Sequence, residues 1–139
     1  TLDGVYSLDN IPTHVNKYPC FWISNSRPSE HPGEHWVGCF FPSEFKPAEF
    51  FCSLGKSPQS YTPSLNNILA ANGNGRYIWN KMQVQGDSSL ACAYFVLYFV
   101  DRRSRNISYA NCMNSLSDND FALNERIVTS YVKDHMVQS

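Results

Sequence analysis

The feature that most restricts this chain is the run Ala91-Cys92-Ala93-Tyr94-Phe95-Val96-Leu97-Tyr98-Phe99-Val100, which carries no charge. From Leu90 onward it makes about three helical turns that are apolar nearly all round, the pattern of a central helix enclosed by other elements. It is far too short for the ~20 residues that a membrane-spanning helix needs. The rest of the chain must therefore supply layers that cover this helix. With 139 residues, 42% of them hydrophobic and 17% charged, it has enough apolar material for one domain with a sizeable core.

Local patterns indicate what those layers are. Residues 1–19 hold Asp9, Asn10, Pro12 and Pro19 among few apolar positions and read as an extended arm or short turn. Aromatic and β-branched runs predict strands at Cys20–Ser24, His35–Phe41 and Ala48–Ser53, the last two an antiparallel pair joined across Pro42, Ser43 and Pro47. The turn-rich Asn25–Gly33 delivers His35 to its strand. Pro63–Ala71 reads as a short surface helix with Pro at its first position and Asn72-Gly73 closing it. A further strand is expected over Tyr77–Gln85, ending in Gly86-Asp87-Ser88-Ser89, and two further helices over Ser108–Leu116 and Asn124–His135. Strands followed by helices, without an internal repeat, give an α+β layered domain.

Charge and cysteine usage exclude several classes. A net charge of -1 provides no positive field to hold a polyanion, so nucleic-acid binding is not supported. The cluster Arg102, Arg103 and Arg105 reads as a solvated helix end rather than a phosphate site. Five cysteines without a CxxC pair rule out an even disulfide framework and zinc-knuckle spacing, so reduced thiols and no metal are expected. His14, His31 and His135 read as surface residues. The N-terminus shows no basic region followed by an apolar stretch, and the expectation is a soluble intracellular protein.

Cys92 is the chemically suggestive residue, because a helix start and a neighbouring imidazole both favour the thiolate. Residue type alone favours a cysteine that merely packs; its surroundings reverse that. The stretch Val84-Gln85-Gly86-Asp87-Ser88-Ser89-Leu90-Ala91-Cys92 and the segment His35-Trp36-Val37 resemble the adenovirus-type proteinases, or adenains, within the Ulp1-like cysteine proteases. In that family a His-Trp pair opens a strand, an acidic residue follows on the next strand, and a Gln lies seven positions ahead of the Cys. His35, Gln85 and Cys92 match. Leu8-Asp9-Asn10-Ile11-Pro12 and Phe50–Pro58 extend the resemblance over most of the chain. Leu123-Asn124-Glu125-Arg126-Ile127-Val128 looks closest to proteases of Maverick or Polinton elements, adintoviruses and virophages.

The resemblance implies a papain-like/Ulp1-like fold over residues 1–139, with a central mixed, mostly antiparallel sheet flanked by helices and Cys92 at the N-terminus of the buried central helix. It implies that His35 takes the thiol proton, Cys92 attacks the scissile carbonyl, and Gln85 with the Cys92 N–H binds the oxyanion. Trp36 and Gly86 would border the substrate cleft, although a strand Trp serves as readily in a core. Two positions depart from the family. Cys52 stands where the family has the Asp or Glu that orients the histidine, and a thiol is a weak, normally neutral hydrogen-bond partner. Ala93 replaces the usual Gly after the nucleophile. Glu49, three residues before Cys52 in a period-two strand, falls on the opposite face and cannot substitute.

The expected activity is therefore a Cys-His dyad endopeptidase acting on capsid or other virion precursors with small residues near the cut. The expected enzyme is monomeric, without cofactor, acting in host cytoplasm or nucleus or packaged in virions. The adenovirus activators, a peptide and DNA, are not carried over. The rival expectation is an inactive relative whose cleft binds a peptide or protein; a ubiquitin-like-protein protease is a third. Cys52 also raises the expectation of a disulfide with Cys92 that would switch the site off.

Overall fold

The computed structural model describes residues 3–25, 35–87, 89 and 91–136. The strands β1 (Gly4–Tyr6), β2 (Cys20–Asn25), β3 (Trp36–Phe41), β4 (Ala48–Phe51) and β5 (Tyr77–Trp79) lie side by side in chain order in one mixed sheet. The inner three are antiparallel to one another, whereas β1 runs parallel to β2 and β5 parallel to β4. Among the described residues four α-helices follow or interrupt them: α1 (Pro63–Asn72), α2 (Cys92–Ser104), α3 (Tyr109–Asn114) and α4 (Phe121–His135).

Because successive strand residues point to opposite faces, the aromatic runs sort into two cores. Phe21, Ile23, Phe40 and Phe51 pack against Phe95, Val96 and Phe99 of α2 and Val128 of α4. Cys20, Trp22, Val37, Cys39, Phe41, Ala48 and Phe50 fill the other side with Leu65 and Leu69 of α1. The sheet is thus covered on both faces. At Gly38 an added Cβ would stand 3.3 Å from Val96 Cγ1, so α2 rides close on the strand that follows His35.

Several elements depart from the sequence expectation. The N-terminal arm contributes β1, paired from Gly4↔Trp22 to Tyr6↔Ser24. Helix α1 is more than a surface helix, since Leu65 and Leu69 are fully buried. Strand β5 stops at Trp79 instead of Gln85, because Asn80 turns its side chain onto the neighbouring backbone. Helix α2 is not enclosed all round: Ala93 and Tyr94 open to solvent in its first turn while Phe95, Val96 and Phe99 are buried. The arginine cluster is not simply solvated, since Arg103 forms a two-point ion pair with Glu49 at 2.7 and 2.8 Å. His31 and most of the Asn25–Gly33 turn lie outside the described residues. Among the described residues no helix is long and apolar enough to cross a membrane.

Candidate active site

The site is built from the ends of β4 and β5. The last rung of their pairing is Phe50↔Trp79, which leaves the backbone of Cys52 beyond the ladder. The Asn80 side chain takes over: Oδ1 accepts the Cys52 N–H at 2.9 Å, and Nδ2 donates to the Cys52 carbonyl at 2.6 Å and the Met82 carbonyl at 3.1 Å. Asn80 thus holds a buried strand end: it is the partner of the Cys52 N–H and shares the Cys52 carbonyl with the Gly55 N–H at 2.9 Å. The chain then turns at Gly55, which has φ 73°, and an added Cβ there would meet Gln83 N and Lys81 O at 2.9 Å. Only Gly fits this turn.

His35 immediately precedes β3. Extending the Gly38↔Phe51 register puts its side chain on the same face as Cys52. The contact follows, with His35 Nε2 3.4 Å from Cys52 Sγ. The same sulfur lies 3.0 Å from Tyr61 Oη. Tyr61 stands just before Thr62, the residue that caps α1, and its ring lies face to face with the imidazole at 6.3 Å between centroids. Burial, followed by the Lys56 charge, pushes the His35 pKa down to about 4, so the ring is neutral at pH 7. The Tyr61 phenol is pushed well above its ordinary range, first by burial and then by the neighbouring Cys52. The phenol therefore stays protonated at neutral pH beside the Cys52 sulfur.

Cys92 is the first residue of α2, and Ala91 before it caps the helix with no side-chain hydrogen bond. Gln85 is buried, and its amide orientation is fixed from both ends. Ser53 Oγ donates to Oε1, and Nε2 donates to the Ser89 carbonyl at 3.0 Å. The Ser89 carbonyl can only accept, so the amide NH2 must face it, and this network leaves one way to place the amide. The Ser53 carbonyl also accepts the N–H groups of Val84 and Gln85 at 2.9 and 3.0 Å. Consecutive residues thus serve the two sides of the site, Cys52 meeting the histidine and Ser53 the glutamine.

Helix α4 supports the same loop from behind. The fully buried Asn124 donates to the Val84 carbonyl at 2.9 Å and the Ser117 carbonyl at 2.6 Å, and accepts the Ser117 N–H at 2.7 Å. Ser89 Oγ donates to Glu125 at 3.1 Å and accepts the Ala91 N–H at 3.1 Å. Gly86 sits beside Phe121, where an added Cβ would find ordinary contact at 3.8 Å. Trp36 is half-buried against the core around α2. Glu49 points to the opposite face from Cys52, as its spacing requires, and is occupied by Arg103. All five cysteines are described and are free in this structure.

Sequence reasoning brought out His35, Cys52, Gln85 and Cys92 but missed Ser53, Tyr61, Asn80 and Asn124. Asn80 left a trace, a polar residue closing the run Tyr77-Ile78-Trp79. Tyr61 left none, because its role depends on where the turn before α1 lands.

No family model and no curated protein matches the chain. Among solved structures, a crystal structure titled as that of ASFV pS273R protease matches with a TM-score of 0.56 at 18% identity. The match covers 89% of this chain and 57% of that one. The fold is papain-like/Ulp1-like. The chain thus spans just over half the length of that protease, and at this identity the likeness concerns the fold alone.

Proposed function

We propose that the chain is a thiol endopeptidase of a virus or virus-derived element, of the adenain type, in which Cys92 is the nucleophile and His35 the base. What supports this reading is the His35–Cys52 pair at 3.4 Å, together with a cysteine at the first position of α2 and the buried Gln85 seven residues before it. Neutral His35 takes the Cys92 proton as the sulfur attacks the peptide carbonyl. The oxyanion is received by the Cys92 backbone N–H and the Gln85 amide, whose Nε2 is already turned toward the loop that starts α2. His35 then returns the proton to the leaving amine, and water cleaves the thioester. The substrates are capsid or other virion precursors with small residues near the cut, met in the host cytoplasm or nucleus or inside particles.

Alkylation tests this reading. A cysteine-directed electrophile is expected to label the folded protein at Cys92 and to spare Cys52, which has no exposed surface. Cys92→Ala is expected to abolish cleavage of a co-expressed capsid precursor. Absence of labelling together with unchanged cleavage overturns the proposal. Cys52 motivates a second reading, an inactive relative that binds peptides in the cleft. That reading predicts that Cys52→Asp creates activity from none, whereas the peptidase reading predicts substantial activity before the substitution.

A further inference from the structure

We infer that Tyr61 is a positioning residue which, acting through the Cys52 thiol, sets the tautomer and orientation of His35; this rests on the peptidase reading for its catalytic consequence alone. Cys52 Sγ lies 3.0 Å from the Tyr61 hydroxyl and 3.4 Å from His35 Nε2, and the thiol is fully buried. A thiol has one hydrogen to give and a sulfur that accepts weakly. The direction of that one hydrogen therefore decides what His35 meets.

If the S–H bond points at His35, Nε2 must be the bare nitrogen, and the ring proton sits on Nδ1. The imidazole then has no basic nitrogen left for a second thiol. If the S–H bond points instead at the Tyr61 oxygen, the sulfur lone pair faces His35 and accepts its Nε2–H. Nδ1 is then the basic nitrogen. A carboxylate in place of Cys52 would impose this second arrangement unaided, since it can only accept. A thiol cannot; at the 3.0 Å Cys52–Tyr61 contact, where either atom can donate, the inferred arrangement has the Tyr61 oxygen accept the S–H and so supply the missing acceptor. Tyr61 is held for this task by its own setting. Its N–H is bonded to the Pro58 carbonyl at 3.1 Å, and its ring packs on Phe50 at 6.3 Å between centroids.

The test is Tyr61→Phe, which keeps the ring and removes the hydroxyl. Nitrogen-15 NMR of the His35 ring in the full chain is expected to show the Nε2–H tautomer before the substitution and a shift toward Nδ1–H after it. This readout needs no substrate, so it survives failure of the peptidase reading. On a peptide substrate, Tyr61→Phe is expected to lower kcat by up to about tenfold with KM little changed, the worth of one hydrogen bond. In a Cys52→Asp background the same substitution is expected to leave both the tautomer and kcat nearly unchanged. An unaltered tautomer in Tyr61→Phe overturns the inference, as does an equal loss of kcat in both backgrounds, the mark of a merely structural tyrosine. A shifted tautomer in a protein without peptidase activity upholds the inference and removes only the proposed function.

Discussion

His35 carries the clearest pH signature at the scale of single residues. Burial and then Lys56 hold its pKa down to about 4, against about 6.5 for an unperturbed imidazole. Between these values the unfolded chain binds a proton that the native site refuses. Native stability should therefore fall as pH drops from about 6.5 to about 4, and be unaffected by this group above that window. Urea denaturation at pH 7 and pH 5 checks the sign: wild type should lose more stability over that interval than His35→Gln. On the proposed peptidase reading, the same shift keeps His35 neutral and able to act as base down to low pH, so the acidic limb of kcat/KM is expected near 4. In Cys52→Asp the added carboxylate favours imidazolium, and the limb should move upward. A limb near 6.5 in wild type would mean that His35 is solvated rather than buried. Among the candidate residues, Cys92 was legible from its type and its place at a helix start, whereas His35 and Gln85 were named through the family resemblance. Ser53 and Tyr61 were not legible, because a hydroxyl advertises nothing in sequence until a partner faces it.

The elements show the same division. Strands β2, β3 and β4 and helices α1 and α2 lie close to their sequence expectations, because aromatic alternation, proline at a helix start and a long apolar run are local signals. The failure at β5 is instructive. Its pattern continues past Trp79, but hydrogen bonding passes to the side chain of Asn80, which mimics the next rung of the ladder. A side chain replacing a strand leaves no periodicity to read. Asn80→Ala removes both bonds to Cys52 and leaves its buried N–H without a partner, while its carbonyl keeps the Gly55 N–H at 2.9 Å, at an expected cost of about 1–3 kcal/mol. Chemical denaturation measures the loss, and hydrogen exchange at the Cys52 amide locates it. Exchange there should quicken by more than global destabilisation explains. An amide protected as in wild type would show that the strand end is held by packing rather than by Asn80.

Across the whole molecule, the two halves of the site belong to different layers, Cys52 and His35 to the sheet and Cys92 to α2. The bond that fastens those layers lies at the far end of the helix. Arg103 reaches from the last turn of α2 to Glu49 on β4, with side chains 14% and 8% exposed, and it also donates to the Ile107 carbonyl at 2.9 Å and covers the Phe40 ring at 4.7 Å. The sequence placed Glu49 on the face away from Cys52 but left Arg103 as a helix-end charge, since nothing local links residues 54 apart. Removing one member of a buried pair strands the other, so Glu49→Ala is expected to cost about 3–5 kcal/mol. Replacing both, as Glu49→Leu with Arg103→Met, should cost much less, because the stranded charge disappears while the volume remains. The ratio of these two losses in denaturant separates a buried clamp from a surface pair, for which Glu49→Ala would cost under about 1 kcal/mol and depend on salt. If the clamp also sets how α2 lies on the sheet, Glu49→Ala should slow alkylation of Cys92 under conditions where the protein remains folded, whereas the double variant should recover much of that rate.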